Sequence, residues 1–350
     1  MIPKSRRVLT LDGAGCIRVA DSPVPEPGAG QLLVEVRASC ISPGTELGSV
    51  RGRRENPEPD RPPKPFGYSS AGVVLAAGSG CRDIDPGTRV ACLGAGYALH
   101  ASHALVPRNL AVPVPEGLSD EAAAANHLAA TGMHAVRRGE FTLGEHVAVF
   151  GLGLVGQFTA QLAALAGSHV LGVDGLALRR QAALETGHVE SAADPTSGDL
   201  EPAAKRLSRC YGFDGGVIAF GGDGTAALRC LSSILKCSPD GHRMGRIVVV
   251  GGARIDHVFA AALGNVDVRS SARPGPGYHD EEWELGRDYP PVFVQWTTRR
   301  NVEECLRLMA AGRLRTEPLI THRFALEQGP EACELLIEHP EKALGVVLIP

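Results

Sequence analysis

The stretch "VFGLGLVG", residues 149–156, decides the fold. Gly151, Gly153 and Gly156 make a G-x-G-x-x-G pattern directly after the apolar run "HVAVF" and directly before "LVGQFTAQLAALA", so a strand should end and a helix begin on the glycines. By itself the pattern also fits a strand and helix that merely pack closely. Its position in a strand–turn–helix unit gives each glycine a separate role, Gly151 in the tight turn, Gly153 in the close approach of a pyrophosphate, and Gly156 in the contact between helix and strand. The backbone of Gly153, Leu154 and Val155 then presents the helix N-terminus to the phosphates of a dinucleotide. A second strand, "HVLGVD", ends in Asp174, near the spacing at which an acid accepts the adenosine ribose hydroxyls and repels a 2′-phosphate. NAD is therefore favoured. Arg179 and Arg180 follow closely enough to pair with a phosphate, which keeps NADP as the alternative. Gly251, at the end of "RIVVVGG", and Arg273 are further expected cofactor contacts, Arg273 through a phosphate.

Outward from this loop the texture alternates. "HVLGVD", "GGVIAFGG", "RIVVVGG" and "VDVRSS" are apolar strand-like runs, separated by helical stretches near 154–166, 176–185 and 225–235. Such alternation indicates a parallel sheet covered on both faces, an α/β doubly wound domain assigned to 128–270. The chain before it is rich in Pro and Gly, with short runs such as "QLLVEVRAS", "SAGVVLAAG" and "GTRVACLG", which predict an irregular β-rich domain over 1–127. After 271 the Pro/Gly texture returns in "ARPGPGYHDEEWELGRDYPPVF", followed by a helix in "NVEECLRLMAAG", a helix near 330–337 and the strand "GVVLI". "RGRRENPEPDRPPKP" reads as a solvated loop, with a flap over a site as the other reading.

Composition excludes several classes. Over 350 residues the net charge is −4, so there is no overall positive field to hold nucleic acid or an anionic membrane. No apolar run of signal-peptide or membrane-spanning length occurs, and a cytoplasmic protein is expected. The nine cysteines are scattered without a C-x-x-C pair, against both a disulfide framework and a cysteine-rich zinc knot.

One stretch, "PFGYSSAGVV" (Pro65–Val74), places a tyrosine and two serines between glycines at the end of an apolar strand. "PGTEL", "GYSSAGVV", "PGTRVACLG", "HASHALVPRNLAVPVPEGLS", "LAATGMHAV", "GEHVAVFGLGLVGQ" and "PLITHRFALEQGPEACELL" together resemble the medium-chain dehydrogenase/reductase family, in family order and over nearly the whole chain. The resemblance implies a GroES-like catalytic domain built from residues 1–127 and 271–350, a Rossmann domain over 128–270, a substrate cleft at their junction and a homodimer joined through the Rossmann sheet.

The departures from that family matter as much as the match. Where its zinc-dependent members carry their three catalytic ligands, this chain has Ser42, Tyr68 within Gly67-Tyr68-Ser69, and His127. One candidate donor cannot hold a catalytic zinc, which takes three protein ligands and an open position. The cysteine-rich lobe for a structural zinc is also missing, so no metal is expected. The resemblance points to the zinc-independent branch, with an NAD(P)-dependent oxidoreductase interconverting a secondary alcohol and a ketone. Without zinc, the charge on the substrate oxygen must be met by hydrogen-bond donors or a proton-transferring side chain. Tyr68 is the expected acid/base or oxyanion donor. Ser42, Thr45, Ser69 and His127 are neighbours able to orient it, and Glu46 falls near the acid that the family keeps behind its first ligand. A tyrosine that only packs, its hydroxyl bonded to backbone, is the competing reading.

The segment around Tyr278, Trp283, Tyr289 and Trp296 resembles one found in a zinc-less branch associated with sugar-like substrates. These rings are expected to wall a pocket or to cap the C-terminal part hydrophobically. A small polar substrate (sugar, cyclitol or amino sugar) follows from the branch resemblance and the hydroxyl-rich site, with a role in specialised metabolism. Two other readings stay open: reduction of an activated C=C bond, as in quinone or enoyl reductases, and a dinucleotide-binding protein without catalysis.

Overall fold

The apolar runs on either side of the glycine loop form one sheet. Strand His146–Phe150 lies beside His169–Val173 on one flank and Gly215–Ile218 on the other, and every pairing in this six-stranded sheet is parallel. Counted along the chain, the spatial order is third, second, first, fourth, fifth, sixth, the Rossmann order whose reversal point lies at the first strand. Ser191–Ala193 closes one edge, and Met244–Val250 followed by Asn265–Ser271 closes the other. The helix Leu154–Leu165 is buried nearly all round, which explains its mostly apolar and small-residue sequence. Its buried polar side chains bond to backbone, Thr159 Oγ1 donating to the Val155 carbonyl at 2.7 Å. Phe150, Leu171, Ile218, Leu231 and Ile247 are central to the core on one side of the sheet.

The structure is a computed structural model describing residues 2–81, 83–258 and 263–350. It divides into two units, Met1–Ala130 with Pro274–Gly312 and Ile320–Pro350, and Thr131–Arg273 with Arg313–Leu319. The excursion Arg313–Leu319 differs from the division drawn from sequence, which kept 271–350 together. The Gln161 carboxamide accounts for it: Nε2 donates to the Arg315 carbonyl at 2.9 Å and Oε1 accepts the Arg315 N–H at 2.7 Å.

The first unit is β-rich. Strands Ile320–Ala325, Gly345–Ile349, Gln31–Cys40, Ser69–Ala77, Arg89–Leu93 and Ala111–Pro113 follow one another across a seven-stranded sheet, with His103–Pro107 also pairing to Gln31–Cys40. Ser5–Leu11 is flanked by Ile17–Pro23 and Lys64–Pro65 in a smaller sheet. Leu9, Leu47 and Val50 pack with Leu326, Leu336 and Leu348, so residues from both ends of the chain share one core.

The reading of 51–65 as loop is corrected at its start: Arg51 to Glu55 are the last turns of the helix Thr45–Glu55. Leu47 and Val50 anchor that helix, and Arg53 Nη1 donates to the carbonyls of Leu11 and Asp12, each at 2.9 Å. No helix among the described residues is long and apolar enough to cross a membrane.

Candidate dinucleotide loop and hydroxyl site

In the second unit, Gly151 turns at φ +89°, and the helix begins after Gly153 with no side-chain cap on its first N–H groups. A Cβ on Gly156 would sit 1.8 Å from the Gly151 carbonyl oxygen, so the helix rests directly on the strand end. A Cβ on Gly153 would meet nothing within 4 Å. The loop thus combines one packing contact with one open backbone surface beside the amides of Leu154 and Val155, the arrangement that accepts a pyrophosphate. Gly251 turns at φ +86° just after strand Met244–Val250, and Arg273 is exposed at φ +64°.

Asp174 is buried at the end of its strand and already engaged. Oδ2 accepts the Leu152 N–H and Oδ1 the Leu176 N–H, both at 2.8 Å. The carboxylate therefore shapes the glycine loop, and Oδ1 retains a further lone pair. Arg179 Nη1 lies 3.5 Å from Asp174 Oδ2, while its buried Nε finds no hydrogen-bond partner. Arg180 is committed elsewhere, to the Asp174 carbonyl at 2.6 Å and Asp194 at 3.0 Å. Gln157, which sequence reading passed over, pins the loop: its Nε2 donates to the carbonyls of Leu152 at 3.1 Å and Arg179 at 2.8 Å.

In the first unit, the sequence places Tyr68 at the mouth of strand Ser69–Ala77. Gly67 must be glycine: φ is +132°, and a Cβ there would meet the His100 nitrogen at 2.3 Å. The Tyr68 carbonyl accepts the Gly94 N–H at 3.0 Å and the His127 Nδ1–H at 3.1 Å. The rings of Tyr68 and His127 meet edge to face at 4.1 Å. Tyr68 is buried, and its hydroxyl is hydrogen-bonded by the side chains of Ser42 and Thr45. Burial first and the neighbouring Glu46 carboxylate second push the phenol well above the usual tyrosine value, against the pull of the two hydroxyls. Burial depresses His127 to about 3, so this imidazole is neutral at ordinary pH.

Ser69 stands apart from this group. Its hydroxyl donates to the Ala124 carbonyl at 2.6 Å and accepts the His127 N–H at 3.3 Å, so it joins strand to helix and leaves the phenol to Ser42 and Thr45. That corrects its expected part in orienting Tyr68. Glu46 does not reach the phenol by a hydrogen bond of its own. Oε2 accepts the Ser42 N–H at 2.7 Å and Oε1 pairs with His100 Nε2 at 3.0 Å. His100 is fully buried and its Nδ1 lies 2.8 Å from Ser39 Oγ. Sequence reading missed His100, whose partners lie 54 and 61 positions away.

The aromatic segment divides in the same way. Tyr278 meets the His127 ring edge-on at 5.5 Å and accepts the Ala95 N–H at 2.7 Å. Trp283 is fully buried against Gly277, with Nε1 donating to Asp288 at 2.8 Å. Tyr289 donates to Asp280 at 2.5 Å, and Trp296 carries the Arg300 guanidinium 4.9 Å above its ring. Trp283 is thus a core residue of this segment, and Tyr278 joins the group around Tyr68 through the His127 ring.

Ser42, Tyr68 and His127 supply one imidazole, whose Nδ1–H goes to the Tyr68 carbonyl, and among the described residues no three His, Cys, Asp or Glu side chains gather as a metal-binding group.

No family model matches the chain. It is 26% identical over 362 residues, 93% of its length and 94% of the relative's, to the uncharacterized zinc-type alcohol dehydrogenase-like protein YphC of Escherichia coli K12. It is 30% identical over 244 residues, 66% of its length, to 62% of the D-guloside 3-dehydrogenase of Shigella flexneri. Among solved structures, a putative zinc-binding dehydrogenase from Sinorhizobium meliloti bound to NADP matches with a TM-score of 0.77 over 99% of this chain and all of that one, at 24% identity. The chain therefore has the GroES-like plus Rossmann fold of medium-chain alcohol dehydrogenases from end to end.

Proposed function

We propose that this protein is a medium-chain NAD(P)-dependent dehydrogenase that interconverts a secondary alcohol and a ketone on a small polar substrate of the polyol or glycoside type, without a catalytic zinc. The observation that carries the reading is the buried Tyr68 hydroxyl held by Ser42 and Thr45, in a stretch to which the family resemblance assigns the ligands of zinc-dependent members. A nicotinamide cofactor supplies or accepts the hydride. The residues of this chain then deal with the proton and the charge on oxygen. Tyr68, kept neutral by burial and by Glu46, donates to the oxygen as negative charge develops on it, and Ser42 and Thr45 stabilise the phenolate it leaves. His127, neutral and bonded to the Tyr68 carbonyl, fixes the backbone under the phenol. The guloside relative supports a sugar-like substrate, while the zinc-type name of YphC points against the metal-free part of the reading.

For the cofactor, the second unit would hold the pyrophosphate on Gly153, Leu154 and Val155, with Gly251 and Arg273 as further contacts. Asp174 supports NAD through the remaining lone pair on Oδ1. A specific observation favours the second reading, NADP: the unpartnered Arg179 Nε beside Asp174 is suited to a 2′-phosphate. The edge strand Asn265–Ser271 supports a homodimer formed by sheet extension in a cytoplasmic protein.

The deciding experiment measures oxidation of a methyl guloside and a panel of polyols with each nucleotide, before and after exhaustive chelation, for wild type and Tyr68→Phe. Turnover that survives chelation and falls in the variant is expected. Turnover abolished by chelation and restored by zinc would overturn the metal-free reading.

A further inference from the structure

Glu46 and His100 form a buried pair that the proposed reaction does not itself use. Burying a carboxylate is costly unless hydrogen bonds replace its water. Here they do, and they tie three parts of the first unit together. One Glu46 oxygen takes the Ser42 N–H and so closes the turn 42–46 back onto the start of helix Thr45–Glu55. The other takes His100 Nε2–H, and the far side of that ring is held by Ser39. His100 is itself fixed: its N–H donates to the Phe66 carbonyl at 3.1 Å, its carbonyl accepts the Leu9 N–H at 2.8 Å, and its ring meets Phe66 edge-on. One imidazole thereby joins the residues leading into Tyr68 to the turn whose Ser42 and Thr45 hydroxyls grip the phenol.

We propose that His100, acting through Glu46, is a positioning residue that holds the Tyr68 hydroxyl as a proton donor toward a developing alkoxide. The proposal rests on the reading of Tyr68 as the acid of the site. In the reducing direction, a bound nicotinamide cofactor would supply hydride to the carbonyl carbon, so that the C=O π pair would move onto oxygen. That oxygen takes the phenol proton, and water reprotonates the phenolate. Oxidation runs the same steps backward.

The titratable groups around the phenol are Glu46 on its helix, Cys40 at the end of strand Gln31–Cys40, His127 on helix Asn126–Gly139, and His100 behind Glu46. Of these, Glu46 has the largest effect on the phenol after burial. Without His100, Glu46 would keep only the Ser42 N–H. A carboxylate so stripped is free to turn away from the turn 42–46, and its field at the phenol weakens.

The test follows the Cζ resonance of Tyr68 in protein labelled with ¹³C-tyrosine. Tyr68→Phe identifies it among the five tyrosines (68, 97, 211, 278 and 289). In wild type the resonance is expected to stay that of the neutral phenol at pH values where an ordinary tyrosine, near about 10, ionises. In Glu46→Gln and in His100→Leu the ionisation is expected to fall back toward that ordinary value. In His100→Gln, which retains a side-chain N–H for Glu46, the resonance should stay as in wild type. Folding is checked by melting curves. If His100→Leu does not fold, His100→Asn, whose amide is too short to reach Glu46, is read in its place.

A Tyr68 signal that moves in Glu46→Gln but not in the His100 variant overturns the role of His100, and one that moves in neither removes Glu46 as well. A loss of melting temperature with no movement of the Tyr68 signal marks the pair as structural only. A near-native rate in Tyr68→Phe would instead sink the acid assignment, a failure visible separately from the resonance.

Discussion

Replacing Gly153 with alanine separates the space kept for a ligand from the space used in packing. The added methyl meets no atom within 4 Å, and φ −65°, ψ 177° is open to any residue. The cost to folding is then the poorer N-cap preference of alanine, about 1 kcal/mol, or a melting shift of about 2–4 °C. The same methyl would stand on the backbone surface that a pyrophosphate has to approach. A loss of about 10- to 100-fold in nucleotide affinity, about 1.4–2.8 kcal/mol, is expected.

Gly156→Ala should behave in the opposite sense. Its Cβ would lie 1.8 Å from the Gly151 oxygen and 2.9 Å from the Gly151 carbonyl carbon, all backbone, so helix and strand must part. Overpacking of this kind costs about 1–3 kcal/mol before any ligand is added. Fluorescence titration with NADH and NADPH, paired with thermal melts, reads both effects. Wild-type affinity in the Gly153 variant would show that the open surface is not the seat of the pyrophosphate. An unchanged melt in the Gly156 variant would refute the packing argument.

Other expectations follow from the two sites. Tyr68→Phe should lower kcat by roughly ten- to ten-thousand-fold while leaving nucleotide affinity intact; a near-native rate would return the hydroxyl to a packing role. Asp174→Ser should shift preference toward NADP, and because the carboxylate also holds the Leu152 and Leu176 amides it should lower the melting temperature as well. An unchanged nucleotide ratio would remove Asp174 from the ribose. His127 is held near about 3 when folded, whereas an unfolded histidine takes its proton near about 6.5. As pH falls from about 6.5 toward 3 the unfolded chain therefore binds the extra proton, and stability should drop by about 1.4 kcal/mol per pH unit from this group. His127→Asn, which keeps an N–H for the Tyr68 carbonyl, should remove that slope in denaturation midpoints taken between pH 7 and about 4; equal slopes would refute it.

The parallel sheet was legible because its signals are local: its central strands are apolar runs, and G-x-G-x-x-G fixes the turn within a few residues. Its third strand, Ser191–Ala193, and the helix Leu200–Leu207 were not read, the strand being short and weakly apolar. Helix Thr45–Glu55 was hidden by Gly48, Gly52 and its run of arginines, whose value to the helix comes from tertiary bonds to Leu11, Asp12 and Glu334. At the hydroxyl site, Tyr68, Ser42 and Thr45 could be anticipated from the positions that resemblance assigned them. Ser69 could not be told from its neighbours, because the direction of one hydroxyl decides its role. His100 carried no local signal, since its function depends on residues more than fifty positions away.

The strand Gln31–Cys40 pairs at its end with Gly345–Ile349, through Cys40 with Val347 and Ser39 with Leu348. A chain emerging from the ribosome therefore makes Ser39 and Cys40, beside the hydroxyl site, long before the strand that covers that edge exists. Until Gly345–Ile349 appears, this end of the sheet has open backbone hydrogen-bonding groups, the kind of edge on which nascent chains pair wrongly. Maturation of the site around Ser42 and Tyr68 thus waits on the strand Gly345–Ile349. A stalled or clipped chain lacking it would carry a complete glycine loop in its second unit and an unfinished first unit.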